Sequence, residues 1–480
     1  MTVAELDTAQ KPNVIAGLHD AFEAHKKAFA RDPYPSYEAR RANLQRLRRA
    51  LLDRREEIVD AVVADYGSRS RHETTLAEIL GVTQPIKYCL KNLRRWMRSD
   101  SRHTELHWLP GSSKVVPQPL GVVGIISPWN YPINLALVPA AFALAAGNRV
   151  MIKPSELTPH TSDLLFRLLG DVFPEDLISV HRGGIDVGIA FSTMPFDHLL
   201  YTGSTSVGKS IMRAAAENLT PVTLELGGKS PAIVHPDHNI KHAAERICAA
   251  KLFNAGQTCI APDYVLVHEG KVDEFVSVFQ HYAAKKYATM ANNPDFTSVI
   301  NARHKARLES YLSDASEKGA EVIDVNPAGE SFDDAGNKLM PRLIKNVTDD
   351  MVIMQDEIFG PLLPIVAIKN LDEAIAYVND HPRPLALYYF DFDANRQRLV
   401  TERTHAGGMA VNDCIWHYAQ DDMPFGGIGP SGMGAYHGKE GFDTFSHHKS
   451  VFTQGRIAGT KLMSAPYGRF LERFMDAFLR

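Results

Sequence analysis

The chain is poor in cysteine and tryptophan, with four of each in 480 residues. Cys89, Cys248, Cys259 and Cys414 form no close C-x-x-C pair, so neither a zinc knuckle nor a dithiol redox motif is suggested. So few thiols fit a reducing compartment. An excess of one charge is also missing. Lys+Arg 52 against Asp+Glu 56 leaves −4, which gives no general attraction to nucleic acid or to an anionic membrane. The local basic runs Arg46–Arg49 and Arg94-Arg95 fall in helical patterns and read as solvated faces. The longest apolar stretch, Ile133 to Gly147, is too short to span a bilayer. The polar start, Met1 to Lys11, lacks an apolar signal core. A cytoplasmic protein is the expectation. There is no internal repeat and no low-complexity segment, and Gly203 to Gly208 does not have the G-x-G-x-x-G spacing of the dinucleotide fingerprint.

What is present reads as an α/β protein of more than one packed unit. Val14–Ala30, Tyr37–Arg54 and Thr74–Met97 carry apolar residues at helical spacing. His103–Leu109 and Lys114–Pro119 read as a hairpin about Pro110-Gly111. From Leu120 short apolar runs alternate with helical segments: Gly121–Ile126, Arg149–Ile152, Ile178–Val180, His198–Tyr201 and Val222–Leu226 are strand candidates. That alternation predicts a parallel sheet covered by helices on both faces. A second series from about Ser230 to Asn412 has strands at Ala232–Val234, Tyr264–His268, Leu363–Ile368 and Leu385–Phe390. Asn326–Lys338 reads as an exposed loop, Thr444–Phe452 as a late strand and Tyr467–Arg480 as an amphipathic helix.

Several short motifs carry chemistry. In Asn254-Ala255-Gly256-Gln257-Thr258-Cys259, a thiol at the end of a glycine turn can face substrate, and its N–H can face an oxyanion. A lone cysteine is more often a small buried hydrophobe. Glu225, 34 residues earlier (259 − 225), ends an apolar run and is flanked by Leu224 and Leu226. Desolvation there would raise its pKa toward the range of a general base, although a capping or ion-paired role is the plainer reading. Pro128-Trp129-Asn130-Tyr131-Pro132 follows a strand, and Asn130 offers an amide donor suited to an oxyanion or simply to a turn. Lys153 and Glu156 follow another strand and could hold ribose hydroxyls. Gly203-Ser204 through Gly208-Lys209 opens a helix where a pyrophosphate could approach the N-terminus. Glu357-Ile358-Phe359-Gly360-Pro361 and Pro424-Phe425-Gly426-Gly427 have no meaning alone.

Taken together, Asn130, Lys153, Glu156, Gly203, Glu225, Cys259, Glu357 and the 424–427 loop resemble, in order and spacing, the aldehyde dehydrogenase superfamily, from about Asn43 to Phe452. Asn254 through Tyr264, with Ser431-Gly432-Met433-Gly434, Tyr436-His437-Gly438 and Thr444-Phe445-Ser446-His447, is similar to the class 3 branch. Ala419-Gln420-Asp421-Asp422 is similar to that branch's bacterial coniferyl aldehyde dehydrogenases.

The resemblance implies a Rossmann-like cofactor domain, a second α/β catalytic domain and a small β oligomerisation element. The implied division is 1–102 and 120–229 with part of 425–443, then 230–424, then 103–119 with 444–455, and a tail helix at 456–480. Cys259 would be the nucleophile, Asn130 an oxyanion donor and Glu225 the base for thioester hydrolysis. Trp129, Lys153, Glu156, Gly203, Ser204, Gly208, Leu226, Glu357 and Phe359 would border a nicotinamide cofactor, with NAD favoured and NADP not excluded. Tyr131, Trp416, His417 and Tyr418 would form an aromatic wall for a medium-chain or aromatic aldehyde. A homodimer is expected. No metal is expected, although His437, His447 and His448 raise the question. The tail helix, with Phe470, Leu471, Phe474, Phe478 and Leu479, is expected to pack on its own fold or a partner rather than on a membrane. A cofactor-free thiol hydrolase, a binding protein on the same fold and an acyl transfer to coenzyme A are the competing readings. Glu225 argues for hydrolysis over acyl transfer.

Overall fold

The computed structural model describes residues 3–456 and 463–479. Its strands, in chain order, are β1 (Asp100–Arg102), β2 (Ser112–Pro119), β3 (Val122–Ile126), β4 (Arg149–Lys153), β5 (Ile178–Val180), β6 (His198–Thr202) and β7 (Val222–Glu225). They continue as β8 (Pro231–Val234), β9 (Tyr264–His268), β10 (Glu321–Asp324), β11 (Arg342–Lys345), β12 (Leu362–Ile368), β13 (Ala386–Phe390), β14 (Gly408–Val411), β15 (Gly432–Met433) and β16 (Ser446–Thr453).

Fully buried apolar strands such as Val122–Ile126 and His198–Thr202 require cover on both faces. They sit in a six-stranded sheet of order β15-β7-β6-β3-β4-β5, parallel except for β15. A seven-stranded sheet of order β10-β11-β12-β9-β8-β13-β14 is parallel except for β10. In the first sheet the chain leaves β3 toward β4 on one side and returns as β6 on the other. That switch opens a crevice at the carboxyl ends of the strands, where ligands of open α/β sheets bind. The helix Asn134–Ala146 crosses behind it with every residue buried. Its large side chains contribute on the order of 1.5–3 kcal/mol each through removal from water.

The third sheet, β1-β2-β16, is antiparallel and corrects the expected hairpin. Asp100–Arg102, not His103–Leu109, pairs with β2, and the intervening segment holds a 3₁₀ turn at Leu106–Trp108. The run after Arg102 has no unbroken alternation to sustain a strand, and Pro110 ends it. The late strand begins at Ser446 because Gly438–Thr444 is a short helix. The expected helix Thr74–Met97 is interrupted by a π-helical turn at Thr75–Leu80. The tail helix spans Arg469–Phe478; Phe470 and, just after the helix, Leu479 are largely exposed, while Leu471 and Phe474 are half-buried. The Phe478 side chain and residues 457–462, which belong to the expected tail, lie outside the described residues. Among the described residues no helix is long and apolar enough to cross a membrane.

Candidate active site

Two segments from distant parts of the chain are locked together to make the site. Before Cys259, Asn254, Ala255 and Gly256 all have positive φ (50°, 51° and 72°). A Cβ on Gly256 would lie 2.3 Å from the Gly360 oxygen, so only glycine fits this turn. The turn is tied down by Gln257, whose amide donates to the oxygens of Asn254 (3.0 Å) and Ser298 (2.9 Å) and accepts from the Ile300 N–H (2.9 Å). The other segment, 128–132, follows β3. The Asn130 main-chain oxygen accepts from Arg69 (2.9 Å), Tyr66 (3.1 Å) and Asn254 (3.3 Å), while its carboxamide nitrogen donates to the Gln257 oxygen (3.2 Å).

Buried acids from the N-terminal helices complete this bracket. Glu78 accepts from the N–H groups of Ile133 (3.1 Å) and Asn134 (2.8 Å), capping the buried helix, and pairs with Arg69 at 3.3 Å. Glu73 accepts from the Asn254 N–H (2.9 Å). Burial pushes both carboxyls up to about 7. Sequence reading missed Glu73 and Glu78 because they resemble ordinary helix-face charges, and Arg69 because it reads as a loop cation. A π-helical turn that rotates Glu78 inward has no sequence signature that propensity can detect.

Cys259 is partly exposed and lies between two cavities. The first, about 870 Å³, is lined by Trp129, Asn130, Gly203, Ser204, Glu225, Leu226, Glu357 and Phe359 as well as Cys259. Glu225 lies at the end of β7 and is 2% exposed, and among the described residues neither of its carboxylate oxygens has a partner. Burial raises its pKa well above the ordinary carboxylate range. Its strand is held by β15, so the 425–436 loop is fixed against Glu225. Burial, then the charges of Glu357 and Glu225, pushes the Cys259 thiol up. Glu357 is raised to about 8, by burial first and Asp263 second. A Cβ on Gly227 would meet its carboxylate at 2.0 Å, so the Leu226-Gly227-Gly228 backbone is the cradle for that acid. Lys229 binds Asp263 and donates to the oxygens of Ile353 (2.7 Å) and Asp356 (3.0 Å), which fixes the Glu357 loop. The helix Thr205–Ala216, capped by Ser204, points its N-terminus into the same cavity.

Not every expected residue lines it. Lys153 ends β4 at the same sheet edge and is bonded to Glu156 at 2.7 Å, but Glu156 opens onto a separate cavity of about 930 Å³ beside His181–Val187. Gly208 is a packing glycine: a Cβ there would strike Leu226 at 2.7 Å, one turn inside the helix rather than at its mouth. His304 and Arg307, which the sequence did not single out, border the Cys259 cavity. His304 and Phe359 both pack edge-on against Trp129, at 5.2 and 5.3 Å. Arg307 donates to the oxygens of Glu357 (3.2 Å) and Ile358 (2.8 Å).

The second cavity, about 320 Å³, is largely apolar and is lined by Tyr131, Trp416 and Tyr418 with Leu76, Leu80, Phe253, Ile260 and Ile415. His417 is not part of this wall. It is turned behind it, against Gly408, Tyr388 and Phe425, and burial lowers its pKa to about 4. Ile415, Trp416 and Tyr418 face the cavity and His417 alone turns away, which a run of three rings in sequence hides. His437 is buried, whereas His447 and His448 are exposed on β16, so the three do not converge. Among the described residues no group of three or more His, Cys, Asp or Glu could hold a metal.

The sequence pattern described as "Aldehyde dehydrogenase family" matches residues 2–451. The chain belongs to the aldehyde dehydrogenase family. It is an enzyme of that family, a nicotinamide-dependent aldehyde dehydrogenase. A Pseudomonas aeruginosa protein called "Probable coniferyl aldehyde dehydrogenase" is 50% identical over 97% of this chain and 97% of its own. The coniferyl aldehyde dehydrogenase of a Pseudomonas sp. is 48% identical, covering 96% of each. The aldehyde dehydrogenase family 3 member A2 of Mus musculus is 41% identical over 86% of this chain and 83% of its own. The class 3 and coniferyl resemblances therefore hold. Among solved structures, the substrate-bound Staphylococcus aureus AldH superimposes with a TM-score of 0.90 at 38% identity, covering 96% of this chain and 99% of that one. A Mycobacterium tuberculosis aldehyde dehydrogenase complexed with NAD+ gives 0.83 at 30% identity, covering 91% and 90%. The α/β aldehyde dehydrogenase fold follows from these matches.

Proposed function

We propose that this aldehyde dehydrogenase oxidises aromatic aldehydes of the coniferyl type, and medium-chain aldehydes, to carboxylic acids through a thioester on Cys259. The carrying observation is the position of Cys259 at the junction of a wide cavity that holds Glu225 and Glu357 and a smaller, largely apolar one. The aldehyde occupies the apolar side, where Tyr131, Trp416 and Tyr418 supply aromatic contacts worth about 0.5–1.5 kcal/mol per good pair beyond area burial. Cys259 attacks as the thiolate. Burial and the nearby acids push its thiol up, so the proton leaves before attack. The Asn130 amide and the Cys259 N–H steady the oxyanion. Glu225 then takes a proton from water during hydrolysis of the thioester.

The residues present fit a nicotinamide dinucleotide. Gly203, Ser204 and the helix N-terminus behind them suit a pyrophosphate. Glu357 on its glycine cradle suits the nicotinamide ribose, with Phe359 and Trp129 beside the ring and Leu226 on the cavity wall. Lys153 and Glu156 suit the adenosine ribose, with NAD favoured over NADP. The bound nicotinamide supplies the hydride acceptor. In this reading the six-stranded sheet is the cofactor domain, the seven-stranded sheet the catalytic domain, and β1-β2-β16 the element that joins two copies in a cytoplasmic homodimer.

The test compares kcat/KM for coniferaldehyde, hexanal, acetaldehyde and succinic semialdehyde. Coniferaldehyde and hexanal are expected to lead, and a clear preference for acetaldehyde or the semialdehyde would overturn the substrate reading. With Cys259→Ala, reduction of nicotinamide should vanish while cofactor still binds.

A further inference from the structure

The polar groups on the wall of the 320 Å³ cavity are mostly bonded to one another. The Tyr131 and Thr258 hydroxyls lie 2.6 Å apart. Tyr418 donates to the Asn134 amide oxygen (2.5 Å), and the amide nitrogen of Asn134 donates to the Ala77 oxygen (2.7 Å). Two acceptors are left over. One is His437 Nε2, on a ring that is 2% exposed and that burial keeps neutral, with its pKa lowered to about 3. The other is the half-buried carboxylate of Asp421. Among the described residues no donor or cation is paired with Asp421, and burial alone displaces its pKa, upward. The adjacent Asp422 differs, because it accepts from the Tyr88 hydroxyl. Gln84 at the rim adds an amide that can serve either way.

We propose that Asp421 is a specificity-determining residue whose carboxylate accepts a hydrogen bond from a hydroxyl at the ring end of an aromatic aldehyde while the aldehyde end reaches Cys259. The inference rests on the apolar cavity being the aldehyde site. A phenol O–H donating to a carboxylate makes a charge-assisted bond, stronger than one between neutral groups. The same carboxylate repels a substrate acid. An ammonium-bearing aldehyde is the rival ligand, but its charge would have to be desolvated against Leu76, Leu80, Ile260 and Ile415, whereas a neutral hydroxyl loses far less hydration. A wall whose leftover groups accept rather than donate therefore selects a neutral donor.

The experiment measures kcat/KM for 4-hydroxy-3-methoxycinnamaldehyde, its 4-O-methyl ether, cinnamaldehyde and 4-aminobutanal, at neutral pH, with the wild type, Asp421→Asn and Asp421→Leu. The wild type is expected to prefer the free phenol over its ether by about tenfold or more, as for a hydrogen bond to a charged group. The ratio should fall toward one in Asp421→Leu and part of the way in Asp421→Asn, which keeps an acceptor oxygen and the side-chain shape. An equal phenol-to-ether ratio in the wild type and in either variant would overturn the role of Asp421, as would a wild-type preference for 4-aminobutanal. If cinnamaldehyde itself is not oxidised by the wild type, the aromatic reading of the cavity fails, and that outcome is distinct from the loss of phenol discrimination.

Discussion

The carboxamide nitrogen of Asn130 lies 3.2 Å from the main-chain oxygen of Gln257, two residues before Cys259. That bond uses one of the two N–H groups of the amide and leaves the other for a substrate oxyanion. The loop itself is held elsewhere, through the Asn130 main-chain oxygen. Asn130→Ala should therefore lower kcat about 10²–10³-fold, the usual effect of deleting one oxyanion donor, with only about 1 kcal/mol lost in stability. Steady-state kinetics beside urea unfolding checks both halves. A large loss of stability with a small loss of kcat would assign Asn130 to the fold instead.

Glu225→Gln should keep a burst of reduced nicotinamide and slow the steady rate, because hydrolysis follows hydride transfer. A base with a raised pKa becomes active only as pH climbs, so the wild-type steady rate should rise with pH and the variant should lack that limb. Stability runs the other way. A carboxyl whose folded pKa lies above its unfolded value leaves stability intact below the ordinary carboxylate range, then erodes it as pH rises toward the folded pKa. The glutamine variant should melt higher than wild type at pH 7.5, with the difference closing near pH 4. Coincident melting curves at both pH values would show that Glu225 is not desolvated as the structure has it.

Arg69 ties the Asn130 loop to Glu78, and both side chains are wholly buried. Arg69→Met leaves Glu78 without its cation, and breaking a buried pair costs about 3–5 kcal/mol. Adding Glu78→Gln should recover part of that loss, since the stranded charge is then gone. Chemical denaturation of the single and double variants gives the coupling. If the double variant is no more stable than the single, the pair is not the source of the loss.

Much of this architecture was legible before any coordinates. The strands β3 to β9 declare themselves as apolar runs between helical segments. Asn130 falls on the loop after β3 and Glu225 at the end of β7, whereas Cys259 and Glu357 lie on loops that follow helices and lead into β9 and β12. What sequence could not supply was direction. His417 stands between two cavity-lining rings yet faces away from them, because loop residues alternate sides without a fixed period. Glu78 looks like a surface acid until the π-helical turn swings it under the Asn134 helix. Gly208 looks like part of a phosphate loop until Leu226 is seen against it. The edge strands β10 and β14 and the interior strand β11 were missed because each has only four residues, too few for alternation or an apolar run to mark them.

The proposed preference for NAD turns on Glu156. Its carboxylate is 41% exposed and bonded to Lys153 Nζ at 2.7 Å, and Lys153 itself is buried. Burial acts to raise the Glu156 pKa, but the Lys153 bond and charge outweigh it and hold the carboxyl below its ordinary value. Glu156 therefore stays ionised throughout the pH range in which a dehydrogenase is assayed. An ionised carboxylate accepts two ribose hydroxyls and repels a 2′-phosphate. Lys153 opposes that repulsion, but Glu156 already engages its ammonium, so only part of its charge is available to a phosphate. Glu156→Gln removes the repulsion and frees Lys153 in one step. Two unit charges about 4 Å apart interact by ~1 kcal/mol in water and ~4 kcal/mol near a protein surface, so the NADP-to-NAD ratio of kcat/KM should rise at least about fivefold. The rise should shrink with added salt, since Glu156 is open to solvent. Measuring both cofactors with one aldehyde at low and high ionic strength decides the matter. An unchanged ratio at low salt would mean that the adenosine ribose is read by other groups and that the Lys153–Glu156 pair serves only to finish the edge of β4.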